Sequence, residues 1–106
     1  MTDKQKELLE QIAKEHNASV SFEENNVEIE HYSDQGEDFV LNVCDSDIVN
    51  NLKDVYDGFD PDEHAVENYH AYHMDLQNLL TDAKAIDEWL EEFVDDVATQ
   101  FAEIED

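Results

Sequence analysis

Glu88, Glu92 and Asp96 recur at four-residue spacing late in this chain, and Glu91 and Asp95 repeat the pattern beside them. On a helix, residues four apart stand about 6 Å apart along the axis. The five carboxylates would then form two parallel rows. Like charges so placed destabilise a helix by about 0.2–0.5 kcal/mol per pair. Interleaved lysines would relieve that repulsion, and none follows Lys84. Rows with a period near that of a phosphate chain suit a groove lined with Arg and Lys, where both partners shed counterions as they do when DNA is bound. The competing reading is a solvated face that keeps a small protein soluble.

The histidines are the second group with chemistry to offer. His64, Glu67, His70 and His73 fall on one expected helix. Glu67-x-x-His70 is the spacing of carboxylate-bridged di-iron bundles, but those need a second Glu-x-x-His, and the sequence has none. A zinc site would need His70 and His73 with a carboxylate. The expectation is partly exposed histidines, some packed on tyrosines, with no metal and no cofactor. An EF-hand needs spaced Asp/Asn, a central Gly and a terminal Glu. Asp54, Asp57, Gly58, Asp60 and Asp62 do not keep that register.

No Gly-rich phosphate loop or nucleophile elbow is present, so the chain is not expected to be an enzyme. Cys44 is the one cysteine, which excludes an internal disulfide and suits a reducing compartment. Because it follows a strand-like run, it reads as a buried thiol.

Acid dominates the composition. Thirty residues are Asp or Glu, five are Lys, none is Arg, and the net charge is −25 over 106 residues. Direct binding to nucleic acid is disfavoured by the charge itself, and an anionic membrane surface would repel the chain. No apolar run approaches the roughly 20 residues of a membrane span. With no signal-peptide pattern either, a cytoplasmic location is expected. Residues 1–14 are neutral, so the whole excess lies beyond them. There the acids alternate with apolar residues, which make up 41% of the chain, enough for a modest core in one domain of residues 1–106.

The elements that would position these groups can be read in order. Leu8, Leu9, Ile12 and Ala13 make an apolar stripe over residues 3–16, with Asn17 as its stop. Val20 and Phe22, then Val27, Ile29 and His31, then Phe39, Leu41 and Val43 alternate with polar residues. These are three antiparallel strands with one wet face carrying Glu23, Glu28, Glu30 and Asp38. Glu24-Asn25-Asn26 reads as a turn. A helix capped by Asp45 or Ser46 runs to about Tyr56, with Gly58 at the left-handed C′ position. Asp60 caps the next helix, Pro61 opens it, and Asp62 and Glu63 complement its dipole. It runs to about Tyr72, with Val66, Tyr69 and Tyr72 as packing candidates. From Leu76 to Ile104 apolar residues recur at helical spacing without Gly or Pro. Asp82, Asp87, Glu88, Glu91, Glu92, Asp95 and Asp96 are assigned to the opposite face.

Two stretches also carry a resemblance. His31-Tyr32-Ser33-Asp34-Gln35-Gly36-Glu37-Asp38-Phe39 resembles a Trp/Tyr-Ser-x-x-Gly-x-Asp-Phe segment. Phe59-Asp60-Pro61-Asp62-Glu63-His64, with Leu79-Leu80-Thr81-Asp82-Ala83 and Ile86-Asp87, resembles its companion. Together, over roughly residues 28–95, they are similar to a family of small acidic proteins carried by Firmicutes phages and conjugative elements. That resemblance implies a mobile-element setting, in which acidic DNA mimics act against restriction and CRISPR systems. The order of helix, three strands and helices is also similar to that of an anti-CRISPR inhibitor.

The sequence therefore predicts an α+β domain: an N-terminal helix, a three-stranded antiparallel sheet, then two or three helices ending in a long one. Its expected function is a DNA-mimic inhibitor of a basic defence nuclease, such as a CRISPR effector or a restriction enzyme. The alternative is an acidic interaction module for another basic partner. The candidate contacts are Asp57, Asp60, Asp62, Glu63, Tyr69, Glu88, Glu91, Glu92, Asp95 and Asp96.

Overall fold

A computed structural model describes residues 1–32, 38–72 and 75–104. Helix α1 spans Asp3–Glu15. It starts where the sequence supplies a capping box. The Gln5 amide donates to Thr2 Oγ1 at 3.1 Å, and the Thr2 amide donates to Gln5 Oε1 at 2.9 Å. It stops at His16 and Asn17, the latter with φ 57°, a left-handed conformation that Asn tolerates.

The chain then forms β1 (Ala18–Glu23), β2 (Asn26–Tyr32) and β3 (Asp38–Cys44), an antiparallel sheet in the order β1-β2-β3. Asn25, at φ 62°, supplies the left-handed residue of the two-residue β1–β2 turn. The register places Phe22 opposite Val27, Val27 opposite Val43, Ile29 opposite Leu41, and His31 opposite Phe39. Period-two alternation sends these side chains to one face. There Val27, Ile29, His31, Leu41 and Val43 are buried. The turn over 33–36 lies outside the described residues.

Helices α2 (Ile48–Gly58), α3 (Pro61–Tyr72) and α4 (Leu76–Ile104) complete the α+β fold. The α4 helix is its spine, in a molecule 47 Å long and 25 by 22 Å across. Leu90, Phe93, Val94, Val97 and Phe101 of α4 meet Leu9, Ile12 and Ala13 of α1, the inner face of the sheet, and Ile48 and Leu52 of α2. Helix α3 packs along the first part of α4 over a smaller cluster of Ala65, Leu79 and Ala83. No described helix is long and apolar enough to cross a membrane.

Trp89 joins the parts. Its ring stacks on His31 at 4.2 Å and on Phe93 at 5.1 Å, and it meets Phe39 edge-on. Its Nε1–H donates to the carbonyl of His16 at 2.6 Å, pinning the end of α1. Trp89 stands three residues after Ile86 and four before Phe93, the helical spacing of the buried side.

Several expectations are corrected. Asp82 is buried, at 3% exposure, and its Oδ1 has no hydrogen-bond partner. It stands three residues after Leu79 and four before Ile86, which fixes it on the core side whatever its charge. Cys44 is exposed rather than buried, because the alternation that buries Val43 turns its neighbour outward. Its thiol shares a 3.2 Å hydrogen bond with the Ser46 hydroxyl. The cap of α2 is neither Asp45 nor Ser46 but Asp47, at φ 57° and without a side-chain cap bond. Both Asp47 carboxylate oxygens instead accept from Asn50 Nδ2. Val66 and Tyr69 do not pack inward; they are 43% and 41% exposed, and Ala65 takes the contact with α4. Gly58 ends α2 without a left-handed φ.

That last correction has a consequence for stability. A Cβ at Gly58 would meet nothing within 4 Å, so Gly58→Ala costs no strain and narrows the unfolded ensemble. A gain of about 0.4–1 kcal/mol is expected in urea unfolding. Trp89 is the sole tryptophan, so its fluorescence reports the transition. Trp89→Phe keeps the stack but loses the bond to His16, and should cost about 1–3 kcal/mol by circular dichroism.

Candidate functional site

The outer side of α4 is set by its inner side. With Leu90, Phe93, Val94 and Val97 buried, the 100° step per residue turns Glu88, Glu91, Glu92 and Asp95 to solvent. All four are exposed and line one shallow depression. No lysine pairs with a carboxylate among the described residues; Lys6 instead stands 5.6 Å over the Phe22 ring.

Asp96 does not belong to that group. Its carboxylate pairs with His16 Nε2 at 2.9 Å and accepts from Gln100 Nε2 at 2.8 Å. The hydrogen bonds from Gln100 and then His16 hold it below the ordinary carboxylate range. It lies one step round the helix, on the flank facing α1, and ties the two helices together.

Asp57 is drawn to the α4 group through Tyr56. Burial pushes the half-buried Tyr56 phenol up, and the charges of Glu91, Asp87 and Asp57 push it further, with Glu91 also its hydrogen-bond partner. One phenol thus senses carboxylates from the end of α2 and the middle of α4. The candidates as read from sequence include neither Asp87 nor Tyr56. The available signal is the Tyr56-Asp57 pair at a helix end, but which carboxylates it meets depends on how α2 crosses α4.

Asp60 is occupied by α3. Its Oδ1 accepts from the amides of Asp62 at 3.0 Å and Glu63 at 3.4 Å, and Asp60 and Glu63 line a shallow hollow with Phe59, His64 and Glu67. Asp62 is exposed on the first turn of α3, and Tyr69 lies edge-on to His70 at 5.9 Å. The outer face of the sheet is less acidic than α4. Glu23 is exposed there, while Glu28 and Glu30 are half-buried among Ser19, Ser21, Asn26 and Asn42. The side chain of Asp38 lies outside the described residues.

The histidines separate. His64 packs edge-on to Phe39 and Phe59, both phenylalanines rather than tyrosines, and lies 3.3 Å from Asn68 Nδ2. His70 is exposed, and His73 lies outside the described residues. Among the described residues no three His, Cys, Asp or Glu side chains are placed to hold a metal ion. The Cys44 thiol is held below its ordinary value by the hydroxyl and then the amide of Ser46, against the charge of Asp45. Compared with models of known families, with curated proteins and with solved structures, the chain matches none.

The Asp96 pair yields a prediction with a definite sign. A carboxyl whose folded value lies below its unfolded value adds stability above the unfolded value of about 3.9 and loses it as pH falls through the folded one. Asp96→Asn should therefore cost about 1 kcal/mol at pH 6. The difference from the parent should shrink progressively below about pH 4, measured by urea unfolding across pH.

Proposed function

We propose that this protein is a non-enzymatic inhibitor that mimics DNA. Its carboxylates occupy the basic nucleic-acid-binding groove of a defence nuclease of the restriction or RNA-guided kind. The observation that carries the reading is the spacing of Glu88, Glu91, Glu92 and Asp95 on an exposed, lysine-free stretch of α4. Seven helical rises span about 10.5 Å, so these four charges are stepped by about 4.5, 1.5 and 4.5 Å and average about 3.5 Å apart along the axis. A DNA strand presents one phosphate per about 3.4 Å of helix axis. Asp57 and Asp87, grouped around Tyr56, extend the negative surface onto α2.

Mechanistically, the surface works by substitution. Arg and Lys side chains that would grip phosphates meet carboxylates at similar intervals and release the same counterions. Such arginines include those that an RNA-guided nuclease uses to read its adjacent motif. Side chains held on a helix replace a flexible backbone, so the charge arrives in one geometry. The resemblance of the Tyr32–Phe39 and Phe59–His64 stretches to acidic proteins of mobile elements supports the same setting.

The test is competition. A target captured from host lysate at low salt should release bound DNA as the protein is added, and the capture should weaken steeply with salt. Glu88→Lys, Glu91→Lys, Glu92→Lys and Asp95→Lys together should reduce affinity by at least about 100-fold, since each reversed contact costs on the order of 1 kcal/mol. Binding that leaves the target's DNA affinity intact would instead favour the acidic interaction module.

A further inference from the structure

One flank of the α3–α4 hairpin carries exposed apolar side chains among the described residues. Among its described side chains, helix α3 buries only Ala65 against Leu79 and Ala83, while Val66, Tyr69 and Leu76 are 43%, 41% and 38% exposed and Leu80 is half-buried. Two helices joined by so short a link and packed on each other run antiparallel. Their residues then rotate in opposite senses about the shared interface. With Ala65 facing Leu79 and Ala83, the step to Val66 and Tyr69 and the step to Leu76 and Leu80 lead to the same side. Val66 and Tyr69 are three apart, and Leu76 and Leu80 four apart. Each pair therefore stacks along its helix, giving two short apolar ridges with a groove between them.

The rim of this flank is acidic. Asp62 lies one turn before Val66, and Asp87 lies two turns beyond Leu80, where it joins Asp57 and Glu91 around Tyr56. Lys84 is the one cation on that stretch of α4. A second copy of the chain would bring another −25 charge and another acidic rim into contact, which like-charge repulsion opposes. The charge instead selects a cation-rimmed occupant, and the ridge spacing selects a helix.

We propose that the Val66/Tyr69/Leu76/Leu80 flank is a docking groove for a basic amphipathic helix of a partner protein. The occupant lays its apolar side between α3 and α4, and its Lys or Arg side chains reach Asp62 and Asp87. The proposal rests on the acidic surface already assigned a partner-binding role, and it names the structural form of part of that partner. It also separates two jobs. The carboxylates of α4 supply long-range attraction and a salt-sensitive term, and the apolar ridges supply a salt-resistant anchor.

Two peptides of equal positive charge test it. One carries Lys with Leu at i, i+3 and i+4 spacing; in the other, Ser replaces each Leu. The Leu/Lys peptide should bind at least roughly tenfold more tightly, because burying even one leucine is worth that much. In the variant Val66→Ser/Leu76→Ser the advantage should vanish while the Ser/Lys peptide binds as before. Both substitutions are at exposed positions, and circular dichroism checks the fold. Equal affinity of the two peptides for the parent, or an advantage that survives in the variant, overturns the groove and leaves the acidic surface standing. Failure of the Ser/Lys peptide to bind at low salt removes the acidic surface and the groove together. Sedimentation showing a dimer that the variant abolishes also overturns the proposal, by making a second copy the occupant.

Discussion

Thirty carboxylates against five ammonium groups set the constraint that everything else in this molecule answers to. Repulsion on that scale opposes any compact state, and almost none of it is cancelled locally. What holds the chain together is therefore apolar and aromatic. The side of α4 bearing Leu90, Phe93, Val97 and Phe101 draws in α1, the sheet and α2. Trp89 fastens that assembly by stacking between His31 and Phe93 and by bonding to the last turn of α1. Attraction is gathered on one side of α4 and repulsion on the other, so a single helix carries both halves of the balance.

Much of this was legible because periodicity survives tertiary context. The Leu76–Ile104 helix, the Asp60-Pro61 start and the three alternating strands emerge as the spacing demands. The misreadings have one physical root, which is sorting residues by type where position decides. Asp82 lies on the buried stripe although it is an acid, and Cys44 follows the outward step of its strand. Val66 and Tyr69 were apolar but had no shared face to occupy once Ala65 met α4.

The candidate site divides in the same way. That Glu88, Glu91, Glu92 and Asp95 share an exposed surface follows from helical geometry alone. That Asp96 leaves them for His16, 80 residues away, could not be read locally, because it depends on where α1 ends against α4. The meeting of Asp87 and Glu91 with Tyr56, whose chain neighbour is Asp57, likewise depends on the crossing of α2 over α4. Asp60 and Asp96 hold the fold and Glu91 reaches Tyr56, whereas Glu88, Glu92 and Asp95 hold nothing in place among the described residues. A group that costs stability and forms no internal contact is what a surface kept for a partner would contain.

That distinction is open to one direct measurement. Glu88→Gln, Glu91→Gln, Glu92→Gln and Asp95→Asn together remove six like-charge pairs at i, i+3 and i, i+4 spacing, four among themselves and one each with Asp87 and Asp96, while nearly conserving side-chain shape. If the charges are retained at the expense of folding, urea unfolding at low ionic strength should show the neutralised protein more stable by about 1–2 kcal/mol. The gap should largely close in 1 M salt, where the screening length falls to about 3 Å. Equal or lower stability of the neutralised protein at low salt would mean that the row supports the fold, and would contradict a surface kept for a partner.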